Sequence, residues 1–227
     1  INNLIEMERI AVIGDSNSTP YFENDNSLTP MNNLFPYLLA EDNFEVIPMS
    51  FVSNTTEKII KRSNFFIKNA KAKYFIIQIG WIDSSSKQFP KWLETLKMLK
   101  LKGSKKILQK FVLFYKNYYK ENYHPLISQR KFRNNLIEII KIIKINNIEP
   151  KIIFLTIPYS PDKLINKYRI KYNQIIKNIS NEWDYQIIDT YELTKNNNLL
   201  NNSGHFDKEA HKKIALLIKQ SINKINQ

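Results

Sequence analysis

Two short blocks near opposite ends of the chain carry side chains able to act on one another. The first is Val12-Ile13-Gly14-Asp15-Ser16-Asn17-Ser18, an apolar run that closes on a glycine and a serine. A strand, a tight turn and a serine at a helix start would lift the Ser16 hydroxyl out of a sheet, where backbone N–H groups can receive an oxyanion. The second is Asn202-Ser203-Gly204-His205-Phe206-Asp207, followed by a helical pattern. A histidine in a turn, with the amide of Asn202 three positions before it, suits a general base oriented through its other ring nitrogen. Together they describe nucleophilic acyl chemistry: Ser16 attacks a carbonyl, His205 takes its proton and Asn202 holds the imidazole. Taken singly, Gly-Asp-Ser is a common turn tripeptide and a lone histidine is more often structural, so the signal lies in the combination.

Other residue types narrow the field. The absence of cysteine excludes disulfide scaffolds, thiolate metal sites and cysteine nucleophiles. Four glycines are too few for a dinucleotide fingerprint or a phosphate-cradling loop, and neither motif occurs. His211 lies six residues after His205, a poor spacing for sharing a metal on one helix face, and His124 is the remaining histidine, so no metal and no cofactor is expected. Asp15 and Asp83 can be taken as a carboxylate pair or as turn- and loop-stabilising groups; the latter is favoured. Trp81 either lines a sugar or acyl pocket or packs the end of a sheet.

These residues need a scaffold, and the hydrophobic pattern provides one. Apolar runs at 9–13, 44–49, 74–79, 151–157 and 185–188 read as strands, and several end at the polar residues above. Helical periodicity covers 31–41, a stretch from Thr55 through Phe65, 131–147, 162–180 and 207–224. Strands alternating with helices predict an α/β protein with a mostly parallel sheet covered on both faces. Working groups in such sheets collect at the carboxyl ends of strands, where the two blocks fall.

Residues 91–127 break the rhythm with many lysines interleaved with aromatics. They read as a basic helical insertion over the sheet edge or the site mouth. It is either an amphipathic helix packing its aromatics inward or a site for an anionic ligand, lipid head group or nucleotide-linked donor. The net charge of +13 allows a polyanion partner. The abundance of Lys, Asn and Ile equally fits codon drift with a solvated surface, so nucleic acid is not the expected partner. Peripheral membrane contact through the basic segment is kept as an expectation. No apolar run reaches the length of a membrane span. The chain opens at Ile1, so residues 1–8 are expected to be a remnant or linker of a larger polypeptide, and 9–227 the domain. The lack of cysteine fits a cytoplasmic protein, free or at the inner face of a membrane.

The two end blocks resemble those of the SGNH (GDSL-type) hydrolases over residues 9 to 222, the basic insertion excepted. The resemblance implies a flavodoxin-like three-layer α/β/α sandwich on a five-stranded sheet, with Ser16 as nucleophile and His205 as base. It further implies oxyanion or substrate contacts at Ser53, Asn54, Gly80, Trp81 and Asp83. Three positions depart from the family pattern. Met49-Ser50-Phe51-Val52-Ser53-Asn54 lacks the second-block glycine, Ile82 stands where the third block has asparagine, and Asn202 stands where the family has aspartate. Loss of one oxyanion donor lowers turnover by ~10²–10³. An amide at the orienter position accepts the same hydrogen bond without the charge. Gln78-Ile79-Gly80-Trp81-Ile82-Asp83 and Tyr172-Asn173-Gln174-Ile175-Ile176 are similar to a subgroup encoded with bacterial surface-polysaccharide biosynthesis. That implies an O-acetyl esterase or O-acetyltransferase acting on a carbohydrate or glycan, with an acyl donor in the second case. The alternative is a catalytically weakened glycan-binding or scaffold domain.

Overall fold

The computed structural model describes residues 7–23, 25, 27–40, 44–85 and 124–227. Five strands form one sheet: β1 (Arg9–Gly14), β2 (Glu45–Ser50), β3 (Tyr74–Gln78), β4 (Lys151–Leu155) and β5 (Gln186–Ile188). Their order is β2-β1-β3-β4-β5 and each neighbouring pair is parallel. β1 and β3 are buried almost throughout because both faces are covered, which is why they read as continuous apolar runs rather than alternating ones.

The helices among the described residues are α1 (Phe35–Ala40), α2 (Thr56–Asn69), α3 (Gln129–Asn146), α4 (Lys163–Glu182), α5 (Thr190–Asn197) and α6 (Lys208–Ile225). Side chains alternate across the strands and divide the core in two. Ala11, Ile13, Phe75, Ile77 and Phe154 pack with Ile59 of α2, Phe132 and Ile139 of α3, and Tyr172 of α4. Ile10, Val12, Ile76, Ile153 and Leu155 pack with Phe35 and Leu39 of α1 and Ile214 and Ile218 of α6. The result is the expected three-layer α/β/α sandwich, and the 2-1-3-4-5 strand order is that of flavodoxin-like folds.

Five helix starts are fixed by an oxygen-bearing side chain on an otherwise unpaired N–H. Thr55 caps α2, Ser128 caps α3, Asp162 caps α4, Asp189 caps α5 and Asp207 caps α6. The periodicity does not anticipate α5. The segment expected as one helix over 31–41 is a 3-10 turn, Met31–Asn33, followed by the short α1. No helix among the described residues is long and apolar enough to cross a membrane. The basic insertion expected at 91–127 lies, up to residue 123, outside the described residues.

Candidate active site

The serine block is built by close approach. β1 ends at Gly14, where a Cβ would sit 2.5 Å from both Ser18 Oγ and Ser50 Oγ, so only glycine lets the turn fold against β2. Asp15 is fully buried and acts as the turn's brace. Its Oδ1 accepts from Asn17 N (3.0 Å) and Asn17 Nδ2 (3.3 Å), and its Oδ2 accepts from Trp81 N at 3.2 Å, tying the β1 turn to the end of β3. Burial raises the Asp15 pKa against the lowering effect of these hydrogen bonds. Ser18 Oγ donates to Gln78 Oε1 at 2.7 Å, and Ser18 N donates to Asp15 O at 3.1 Å. Ser16 is thus presented at the start of a 3-10 turn whose other N–H groups are committed to protein acceptors.

The histidine block folds around Asn201. Asn201 Oδ1 accepts from Ser203 N (3.1 Å), Ser203 Oγ (2.7 Å) and His205 N (2.9 Å), while its Nδ2 donates to Phe22 O at 2.9 Å. This curls residues 201–205 into a turn that brings His205 Nε2 within 2.9 Å of Ser16 Oγ, across 189 residues of sequence. The separation is within hydrogen-bond reach for a nucleophile and its base. Ser16 is 3% and His205 7% exposed. Tyr21 stacks on the imidazole, with centroids 3.5 Å apart at 15°, and Trp81 lies on it at 5.0 Å and 30°. The Arg169 guanidinium sits 3.7 Å over the Trp81 ring, and its Nη1 donates to the carbonyls of Pro158 and Tyr159. Burial, and then the Arg169 charge, push the His205 pKa down to about 4. The imidazole is therefore neutral at neutral pH, as a base must be.

Structure and expectation part company at the other ring nitrogen. Asn202, expected to orient His205, is exposed, and the residue beside His205 Nδ1 is Ser203, through its Oγ at 3.2 Å and its backbone carbonyl. Ser203 is exposed as well, but its N–H and Oγ both donate to Asn201 Oδ1, which sets that Oγ beside the ring.

The remaining expected contacts divide. Trp81 lies against the base and so lines the site. Ser53 has φ +57°, the left-handed conformation glycine adopts freely, and its carbonyl accepts from Lys58 Nζ at 2.8 Å. Asn54 is buried, and its Nδ2 donates to Gly14 O at 3.1 Å. One of the two hydrogens of its side-chain NH2 is thereby committed to β1. Gly80 is buried with φ +113°, against Ile157 and Phe132. Its part is to turn the chain out of β3. Asp83, grouped by sequence with the oxyanion and substrate contacts, is a buried brace instead. It accepts from Thr56 N (3.1 and 3.2 Å) and Thr56 Oγ1 (2.6 Å), and Asn135 Nδ2 donates to the same hydroxyl at 2.8 Å. Burial foremost, with a contribution from the Asp15 charge, raises the Asp83 pKa to about 7.

His211 is buried in α6, where its Nδ1 accepts from Phe35 N at 3.3 Å and its ring packs against Phe35 and Phe206. Burial lowers its pKa to about 3. No group of three or more potential metal ligands occurs among the described residues. Sequence reasoning missed Asn201, Ser203, Tyr21 and Arg169. Asn201 offered a signal, an amide two residues before a serine in a turn-forming run; Tyr21 and Arg169 join the site only through the fold.

No protein-family model and no curated protein matches the chain. Solved structures do. A lipase/acylhydrolase from Enterococcus faecalis matches with a TM-score of 0.67 at 19% identity, over 95% of each chain. A candidate lipolytic protein of the G-D-S-L family from Desulfitobacterium hafniense matches with a TM-score of 0.62 at 14% identity, over 94% of this chain and 98% of that one. Axe2, an acetylxylan esterase from Geobacillus stearothermophilus, matches with a TM-score of 0.62 at 17% identity, over 95% and 94%. The parallel sheet, its strand order and these whole-length likenesses give the chain the α/β fold of the SGNH (GDSL-type) hydrolases.

Proposed function

We propose that the protein is a serine-dependent esterase that removes small acyl groups, acetyl foremost, from a carbohydrate. The observation that carries this is the 2.9 Å contact between Ser16 Oγ and His205 Nε2 at the carboxyl edge of the sheet. In the reaction the Ser16 proton passes to Nε2 as Oγ bonds to the ester carbon, and the carbonyl π pair moves onto oxygen. The N–H of Ser16 and those of the Ser53–Asn54 turn receive that oxyanion. Nε2 then returns the proton to the departing alkoxide as the C–O bond breaks. Water attacks the acyl-enzyme by the same route, with His205 again the base.

The slight exposure of Ser16 suits an acetyl group better than a long acyl chain. Trp81 is packed between the base and the Arg169 guanidinium, so it shapes the wall of the site beside the nucleophile. A sugar hydroxyl in place of water would make the same acyl-enzyme an O-acetyltransferase. The resemblance of residues 78–83 to the polysaccharide-gene subgroup favours a setting in polysaccharide biosynthesis or modification.

The test is acetate release from p-nitrophenyl acetate and from acetylated xylo-oligosaccharides, with Ser16→Ala as control. A loss of ~10³-fold or more in the variant is expected; equal rates would remove Ser16 from the mechanism. Glycan binding with no turnover by either protein would favour the binding-domain alternative, to which Ile82 at the asparagine position lends weight.

A further inference from the structure

We infer that His205 is oriented by an uncharged relay, Ser203 backed by Asn201, in place of a carboxylate. The inference rests on the esterase reading and specifies how its base is positioned.

The proton positions follow from the heavy atoms. Asn201 Oδ1 accepts from two backbone N–H groups, of Ser203 and His205, and Nδ2 donates to Phe22 O, so the amide cannot be turned over. Ser203 Oγ lies 2.7 Å from Oδ1. Two oxygens that close need a proton between them, and the amide oxygen has none to give. The Ser203 proton therefore points at Asn201, and a lone pair of Ser203 Oγ faces His205 Nδ1 at 3.2 Å. Nδ1 must carry the hydrogen. Nε2 is then bare and accepts from the Ser16 hydroxyl at 2.9 Å. The chain Ser16→His205→Ser203→Asn201 runs in one direction and leaves the imidazole in the tautomer a general base requires.

Asn201 is also 4% exposed and anchored to Phe22, next to the Tyr21 that covers the ring, so the same amide fixes the turn and its lid. The arrangement supplies tautomer and orientation, the roles an aspartate also fulfils, but no negative charge to stabilise the imidazolium. Ser203 and Asn201 are positioning residues, since neither touches the reacting atoms.

Nitrogen-15 NMR of the full chain at pH 7, with labelled histidine, reads the tautomer directly in the resting protein. Wild type should show His205 protonated on Nδ1 alone, and Ser203→Ala, which leaves the ring only the backbone carbonyl of residue 203, should have kcat lowered about 10–100-fold and KM little changed. Ser203→Asp should recover much of kcat and move the acid limb of the pH–rate profile upward by a unit or more. A wild-type His205 protonated on Nε2 would overturn the inference. So would Ser203→Ala with unaltered kcat while Asn202→Ala suffers the loss. The NMR result does not depend on turnover. If Ser16→Ala hydrolyses esters as fast as wild type, the esterase reading fails while the relay is still judged by its own spectrum.

Discussion

The His205 ring contacts both Tyr21 and Trp81, and the Arg169 cation sits over the Trp81 ring. Burial and that cation favour the neutral ring, and the base is competent only when neutral, that is, above its pKa of about 4. The acid limb of kcat/KM for an acetyl ester is therefore expected near pH 4, with nearly full activity at pH 5. Rates measured between pH 3.5 and 8 check this, and a half-maximum near 6.5, the ordinary histidine value, would count against it. A second expectation concerns Gly14. An alanine there puts a methyl 2.5 Å from two serine oxygens, one of them on the turn that carries the nucleophile. Gly14→Ala should destabilise by about 1–3 kcal/mol in urea melts and lower kcat sharply, because the displaced atoms adjoin Ser16.

In the proposed reaction the oxyanion side depends on the start of α2. Asp83 pins Thr56 N and Thr56 Oγ1, and the Ser53–Asn54 turn lies immediately before them. Asp83→Ala leaves two buried donors unmatched and should cost about 2–4 kcal/mol, measured by denaturant unfolding, with a lower kcat. A variant equal to wild type in both would show that the turn needs no brace. Most elements were legible in the sequence because buried parallel strands and amphipathic helices leave distinct periods. α5 was not, since its eight residues carry little amphipathic contrast, although Asp189 and Glu192 form a D-x-x-E start signal that its cap uses. Ser16 and His205 were legible because their blocks sit at predictable ends of elements. Ser203 was not, since which of two adjacent turn residues faces the ring is settled by the bonds to Asn201 and not by spacing. The left-handed backbone of Ser53, at φ +57°, was not legible either, since serine carries no signal for it.

At the scale of the whole molecule, buried groups titrate against one another. His205 and His211 have pKa values depressed to about 4 and about 3, so between those values and 6.5 the unfolded chain binds more protons than the folded one. Their contribution to stability is present above 6.5 and is lost as pH falls. Asp83 is raised to about 7 and Asp15 is raised as well, so the folded state binds more protons above 3.8. Their contribution runs the other way and diminishes as pH rises. Between pH 4.5 and 6.5 the histidine and aspartate contributions therefore oppose one another in the unfolding free energy of wild type. His211→Gln should make the fold relatively more resistant to acid by about one proton in slope, and Asp83→Asn less resistant by a similar amount. Identical slopes in all three proteins would refute this balance. The 189-residue separation between Ser16 and His205 also bears on synthesis. A nascent chain displays its hydroxyl early and stays chemically inert until the segment carrying His205 clears the ribosome, so products truncated before that residue should be silent to serine-reactive probes however well their first strands have assembled.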